Sequence, residues 1–432
     1  MSKKSLVMAL TLIFIFSLTF SAIAQDEDEV LLNFYYPVGV AGPLANVVDE
    51  MVEDFNDSHE NITVQAVYSG DYDDTMQRVQ TGVMGGNPPD IAVVEISEAH
   101  SLLEMDATIP LTEFIESESE DFLDPYFDAF LENGRLHGEQ WTMPFQRSTP
   151  VLYYNKDHFA EKADELEAAG LDPDRAPESW DEMLEYAKIL TDKENDQWGL
   201  IIPGGWNDWI FEAFAYQNDA QLINREGTEA YFTDDKVLEA AQFWYDLAHE
   251  HEVMPKEVRT WAGSPTDFAG EAASMLYNST GALPPIMDSS DFEVGVAFMP
   301  KKETFGAAVG GGDFHIFKDI PEKNQEAAWE FIKYMTNPEN AALWSVESGY
   351  VAVREDAYEV EMLAEDVEKQ PGRAVARDQL EYAHPKMSAV GYQQIRQTLT
   401  DILDELMEGN MDAEEAMNEA QNSIQTILDK NN

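Results

Sequence analysis

The sequence predicts an α/β protein of two lobes, each an open α/β sheet. Three observations lead there. Beyond an apolar leader, strand and helix patterns alternate over the first hundred residues, as right-handed β-α-β crossovers require. The chain has 432 residues, more than one hydrophobic core ordinarily serves. No Pro-, Gly- or Ser-rich linker divides it, which argues for lobes entered more than once rather than domains in tandem.

The elements follow in order. Residues 1–24 carry Lys3 and Lys4, an apolar run from Leu6 to Phe20, and the small-residue triplet Ala22-Ile23-Ala24. This arrangement predicts an export signal cleaved after Ala24. A membrane anchor is the competing reading, but the run is short for one. With no cysteine in the chain, neither a lipid anchor nor a disulfide is available. A periplasmic protein is therefore expected.

Past the acidic stretch at 26–29, VLLNFYYP (30–37) reads as a buried strand. Leu44, Val48, Met51, Val52 and Phe55 recur at helical spacing. ITVQAVY (62–68) is the next strand, 72–84 a polar helix, and DIAVVE (90–95) a third strand after the Pro88-Pro89 break. Ligands of such sheets lie beyond the carboxyl ends of the strands, where Tyr68, Tyr72 and Glu95 fall. Farther on, SWDEMLEYAKILTD (179–192) has a Ser N-cap and one apolar face. VLEAAQFWYDLAHE (237–250) and EAAWEFIKYMT (326–336) are further helices, and FEVGVAFMP (292–300) and GGGDFHIF (310–317) further strands. The tail from Gln393 is helical, with Ile395, Leu399, Ile402 and Leu406 as its stripe.

Composition excludes one large class of partner. Lys and Arg number 26 against 84 Asp and Glu, for a formal net charge of −58. Phosphate backbones need basic surfaces, so nucleic acid is not expected. The acids are spread along the chain, as on proteins that work in strong salt, where screening removes self-repulsion.

Several stretches carry a family resemblance: STPVLYYNKDHF (148–159), GGWNDW (204–209), NSTG (278–281), GGGDFHIF and TNPENAALWSVESGYVAVREDAY (336–358). Over nearly the whole mature chain the sequence resembles the extracellular solute-binding proteins of ABC importers, the maltose-binding-protein-like class, and most of all its glycerol-3-phosphate-binding members. The resemblance implies a type II periplasmic binding fold with crossing hinge segments and a ligand cleft between the lobes. Lobe 1 would hold 25–145 and 286–335, and lobe 2 would hold 146–285 and 336–432. PVLYY at 150–154 would be the first crossing, apolar because cores cover both its faces. Its polar lead-in would lie on the cleft floor. The implied partners are a small-molecule ligand and the membrane permease subunits, with the binding protein a monomer and no cofactor or metal.

The same resemblance implies the site. Tyr72, Ser148, Ser279, Gly311, Tyr350 and Arg396 match the contact pattern of the glycerol-phosphate binders. A phosphate favours neutral donors and a guanidinium able to grip two oxygens, together with a backbone N–H left unobstructed by glycine. The alternative for Arg396 is a helix arginine paired with a nearby acid. The family's acidic contact falls on Ile96 by direct spacing and on Glu95 one residue earlier. Trp206 and Trp209 suit stacking on a sugar or glycerol face, or else anchor the following helix. Two departures bear on the ligand: Asp313 follows the glycine run and would repel phosphate, while Arg147 adds a cation beside Ser148.

A glycerol phosphate or glycerophosphodiester is thus expected, with a di- or oligosaccharide as the alternative. A secreted hydrolase is the reading from another class, and it finds no support in spacing. HEHE (249–252) is not HExxH, GDYDD (70–74) lacks a calcium loop's ligand order, and no G-x-S-x-G or Cys nucleophile occurs.

Overall fold

The computed structural model describes residues 29–38 and 44–431, so the leader and its cleavage site lie outside the described residues. Val30–Tyr36, Ile62–Tyr68 and Ile91–Glu95 form three strands, linked by helices Leu44–Ser58 and Tyr72–Met84. They are parallel neighbours, with 30–36 in the middle. Gly310–Ile316 then joins antiparallel to 91–95, and Met143–Ser148 joins antiparallel to 310–316, which completes a five-stranded sheet. The helix at 44–58 buries the five apolar residues expected of it, Leu44, Val48, Met51, Val52 and Phe55. Asp71 caps the next helix, its carboxylate accepting from Asp74 N at 2.9 Å.

A second, three-stranded antiparallel sheet has Pro150–Asn155 at its centre, flanked by Met275–Ser279 and Val294–Ala297. Trp180–Leu190, Asn207–Gln217, Asp235–His249, Tyr392–Glu408 and Ala413–Asn431 supply the helices around it. Ser179 caps the first of these through Glu182 N at 3.2 Å.

Alternation along 150–155 explains its apolar sequence. Leu152 and Tyr154 enter the core of the second lobe. Val151 and Tyr153 enter a different cluster, continuous with Phe34, Phe145 and Phe314 of the first sheet. A strand covered on both faces favours apolar side chains, and its one amide, Asn155 at the end, caps the following helix by accepting from Asp157 N at 2.9 Å.

The strand pairing redraws the expected lobe limits. The chain leaves the first sheet after Ser148, not Phe145, because 146–148 stay paired with 310–312. Within 286–335, Val294–Ala297 belongs to the second sheet, where its backbone completes the free edge of 150–155. The expected strand at 292–300 shortens to those four residues. Helix Pro338–Ser348 lies toward the first lobe, where Trp344 stacks on Phe145 with centroids 5.1 Å apart. It ends at Gly349 in the left-handed region (φ +76°), which turns the chain into Tyr350.

Candidate functional site

Between the sheets lies a cavity of about 380 Å³, its mouth included. The first lobe contributes Tyr72, Glu95, Ser148, Gly310 and Gly311, and the second contributes Trp206, Trp209, Trp261, Ser279 and Lys386, with Tyr350 beside the crossing.

Each side chain is placed by its element. Tyr72 opens its helix, and its hydroxyl donates to Gln146 Oε1 at 3.0 Å and lies 3.5 Å from the Tyr350 hydroxyl. Burial pushes the Tyr350 phenol up to about 12, which keeps it a neutral donor. Ser148 ends one strand and Ser279 another, and Ser279 Oγ accepts from Gly281 N at 3.2 Å. Gly311 has φ +107°, and a Cβ there would stand 1.6 Å from Gln146 O, so only glycine fits. At Gly310 a Cβ would strike the Trp209 ring at 2.5 Å, which explains how that indole reaches the cavity wall. Trp209 also anchors its helix, Nε1 donating to Ala308 O at 3.0 Å. The anchoring reading of that residue is observed, and its ring also lines the cavity.

Of the two candidates for the acidic position, Glu95 lines the cavity and Ile96 does not. It ends its strand and caps the following turn, Oε2 accepting from Ser97 N at 2.8 Å. Ile96 is buried in the apolar cluster. Lys386 Nζ, itself buried, donates to Glu95 Oε1 at 3.0 Å. The same ammonium lies 4.8 Å from the Trp206 ring centroid and 5.1 Å from that of Tyr392.

Three expected ligand contacts are placed elsewhere. Arg396 does not line the cavity: its guanidinium stacks on Trp206 at 4.4 Å, donates to Gly205 O at 3.2 Å, and pairs with Asp73 of the opposite lobe. Arg147 and Asp313 are fully buried and paired with each other at 3.0 Å. A bulge at Gly312/Asp313 shifts the register and brings Asp313 opposite Pro144, beneath the cavity floor.

Trp261 and Lys386 were not flagged by the sequence. The available signal for Lys386 was a lysine set between Pro385 and Met387 in a chain that has few. Around it stand further buried acids. Burial pushes Glu212 up to about 8, against the pull of Lys386, and raises Asp208 as well. Across the cleft, burial also pushes Glu98 up to about 8.

The segment 385–391 is bonded to both lobes. Asn133 Nδ2 donates to Lys386 O at 2.9 Å and Ser388 Oγ to Ser97 O at 2.7 Å on one side. On the other, Met387 N donates to Glu212 Oε1 at 2.6 Å. The two lobes are thus bonded to each other through this segment, with the cavity between them.

The chain belongs to the bacterial extracellular solute-binding protein family, whose model matches residues 50–374. Members of that family are the substrate-binding components of ABC importers, which bind small molecules and engage permease subunits. The sn-glycerol-3-phosphate-binding periplasmic protein UgpB of Pectobacterium atrosepticum is 26% identical over 402 residues, 88% of this chain and 87% of that one. Its counterpart in Yersinia pestis is 27% identical over 400 residues, covering 88% and 84%. Among solved structures, UgpB from Mycobacterium tuberculosis in complex with glycerophosphocholine superposes with TM-score 0.80 at 22% identity, covering 93% of this chain and 99% of that one. The cyclic alpha-maltosyl-1,6-maltose binding protein of Arthrobacter globiformis gives TM-score 0.78 at 20% identity, with 93% and 100% covered. These relatives are binding proteins rather than enzymes. Among the described residues no helix is long and apolar enough to cross a membrane.

Proposed function

We propose that this importer receptor captures a glycerophosphoryl solute, either glycerol 3-phosphate or one of its diesters, and passes it to the permease as a monomer in the periplasm. One observation carries the reading. The cavity wall joins neutral polar groups (the hydroxyls of Ser148, Ser279, Tyr350 and Tyr72, the last already donating to Gln146, and the backbone at Gly311) to one carboxylate and one ammonium. Neutral donors suit phosphoryl oxygens, and Glu95 suits hydroxyls of the glyceryl group. Trp206 and Trp209 would cover its C–H face. Arg147 and Asp313 neither add to nor oppose this directly, because their charges cancel under the floor.

A second reading has a specific support. Three tryptophans line the cavity, a composition that also suits the faces of a di- or oligosaccharide. Calorimetric titration with sn-glycerol 3-phosphate, glycerophosphocholine, maltose and trehalose separates the two. Binding of either phosphoryl compound with no heat from the sugars is the expected result. Tight sugar binding with silence from both phosphoryl compounds would replace the first reading with the second.

A further inference from the structure

Resting on the glycerophosphoryl reading, we infer that Lys386 is the specificity-determining cation of the cavity, donating to a phosphoryl oxygen of the solute, while Arg396 acts outside the cavity by holding the lobes together. The family pattern placed the charge on Arg396. Here, however, that guanidinium is absent from the cavity lining and is engaged with Asp73, Gly205 O and the Trp206 face.

Lys386 is differently disposed. It is 3% exposed and lines the cavity. An ammonium has three hydrogens to donate. One goes to Glu95 Oε1 at 3.0 Å, and among the described residues no other protein acceptor takes the remaining two. The rings of Trp206 at 4.8 Å and Tyr392 at 5.1 Å fix the ammonium without using up a donor. Leaving N–H donors of a buried cation unspent is costly, so a cavity wall is where such donors find a use.

The neighbouring carboxylate sharpens the choice of solute. Glu95 Oε2 accepts from Ser97 N at 2.8 Å and Oε1 from Lys386 Nζ at 3.0 Å and Ser97 Oγ at 3.5 Å, and a carboxylate's remaining lone pair suits a hydroxyl donor. Glu95 and Lys386 together therefore match a solute that carries a hydroxyl a few bonds from an anionic oxygen. A glyceryl phosphate ester has that pattern. A neutral sugar would satisfy the carboxylate but give the ammonium only uncharged acceptors, without the attraction between opposite charges that an anionic phosphoryl oxygen adds.

The test uses the full mature chain and its K386M, K386R and R396Q variants. Each is titrated calorimetrically with sn-glycerol 3-phosphate and glycerophosphocholine, and the bound solute is observed by ³¹P NMR. K386M is expected to lose at least a hundredfold in affinity for both compounds. K386R should recover most of that loss with a displaced ³¹P resonance, since a different donor then meets the phosphoryl oxygen. R396Q should lose less than tenfold and leave the resonance where it was. Should K386M fail to fold, K386R and R396Q still carry the test through the resonance. Wild-type binding with K386M within threefold of it, or a resonance that moves in R396Q and not in K386R, overturns the role of Lys386 alone. Silence of the wild type toward both compounds overturns the ligand class, and this inference with it.

Discussion

Arg147 Nη1 donates to Asp313 Oδ1 at 3.0 Å, joining two side chains that are 0% and 1% exposed and 166 positions apart in sequence. Asp313 Oδ2 also accepts from Thr142 Oγ1 at 2.7 Å, and the Arg147 guanidinium lies 4.9 Å from the Phe130 ring centroid. Burial pushes the carboxyl up and the guanidinium down, and each partner opposes the other's shift. The two residues that looked like opposing influences on a ligand are thus a single neutral unit beneath the cavity floor.

Breaking that unit is expected to cost stability more than affinity. D313N leaves a buried guanidinium uncompensated, for which about 3–5 kcal/mol is typical. R147M/D313L removes both charges and should recover most of that loss. Urea unfolding of the two variants checks the pair. A single mutant as stable as the wild type would show the ion pair to be dispensable.

The glycine at 311 makes a second case, this time of backbone. G311A must hold φ near +107° with a Cβ driven into Gln146 O. The strand then has to separate from 143–148, and a loss of more than about 1 kcal/mol is expected. Ligand affinity should fall as well, because Ser148 sits on the strand that moves. Thermal unfolding and calorimetry on the same sample measure both effects.

Two protons held by buried carboxyls set a pH dependence. Glu212 and Glu98 are each pushed up to about 8 by burial, against an ordinary value of 4.5. A raised carboxyl keeps its proton in the folded state while the unfolded chain has lost it. Stability is therefore greatest below about pH 4.5 as far as these groups are concerned, and it declines as pH rises toward 8, by about 1.4 kcal/mol per pH unit for each proton. E212Q should remove one proton's share of that slope. Denaturant midpoints between pH 5 and 8 that run parallel in wild type and variant would show Glu212 to be ionised throughout.

How much of this was legible in the sequence depends on the range of the interaction. The strands at 30–36, 62–68 and 91–95 and their helices are written in local periodicity, and they appear where it puts them. Tyr72, Ser148, Ser279, Gly311 and Tyr350 could be named because a family pattern fixes them in order, and all of them reach the cavity wall. The edge pairing of 294–297 was not legible, since nothing local says which sheet a short strand joins. Nor was the pairing of Arg396 with Asp73, an interlobe contact between residues 323 positions apart in sequence. Lys386 escaped because a lone lysine between Pro and Met has no periodic signature.

The link between Arg396 and Asp73 gives a prediction about closure. Asp73 is half exposed, so solvent screens the pair and its worth is small. R396Q and D73N should each weaken ligand binding by roughly two- to tenfold, and the double variant should be no worse than either single one. Stopped-flow measurement should place the loss in faster ligand release. Additive losses would mean that the two residues act through different partners.

Salt provides the last expectation. A formal charge of −58 over 432 residues means that acids crowd one another over most of the surface, with few cations to pair them. Exposed pairs such as Lys156–Glu293 and Lys236–Asp219 are individually weak. The dominant surface term is repulsion, which acts on the compact state more than on the expanded chain. At 1 M salt the screening length falls to about 3 Å, shorter than most distances between neighbouring surface carboxylates, and the repulsion largely disappears. The unfolding midpoint should therefore climb steadily from 10 mM to molar NaCl. Binding should respond less, since the Glu95–Lys386 pair is enclosed, although the interlobe pairs Asp73–Arg396 and Glu132–Arg225 are open to ions. Thermal melts across that salt series, with calorimetric affinities at its two ends, measure both. A midpoint that stays flat would show that the surface acids are spaced or hydrated well enough not to burden the fold.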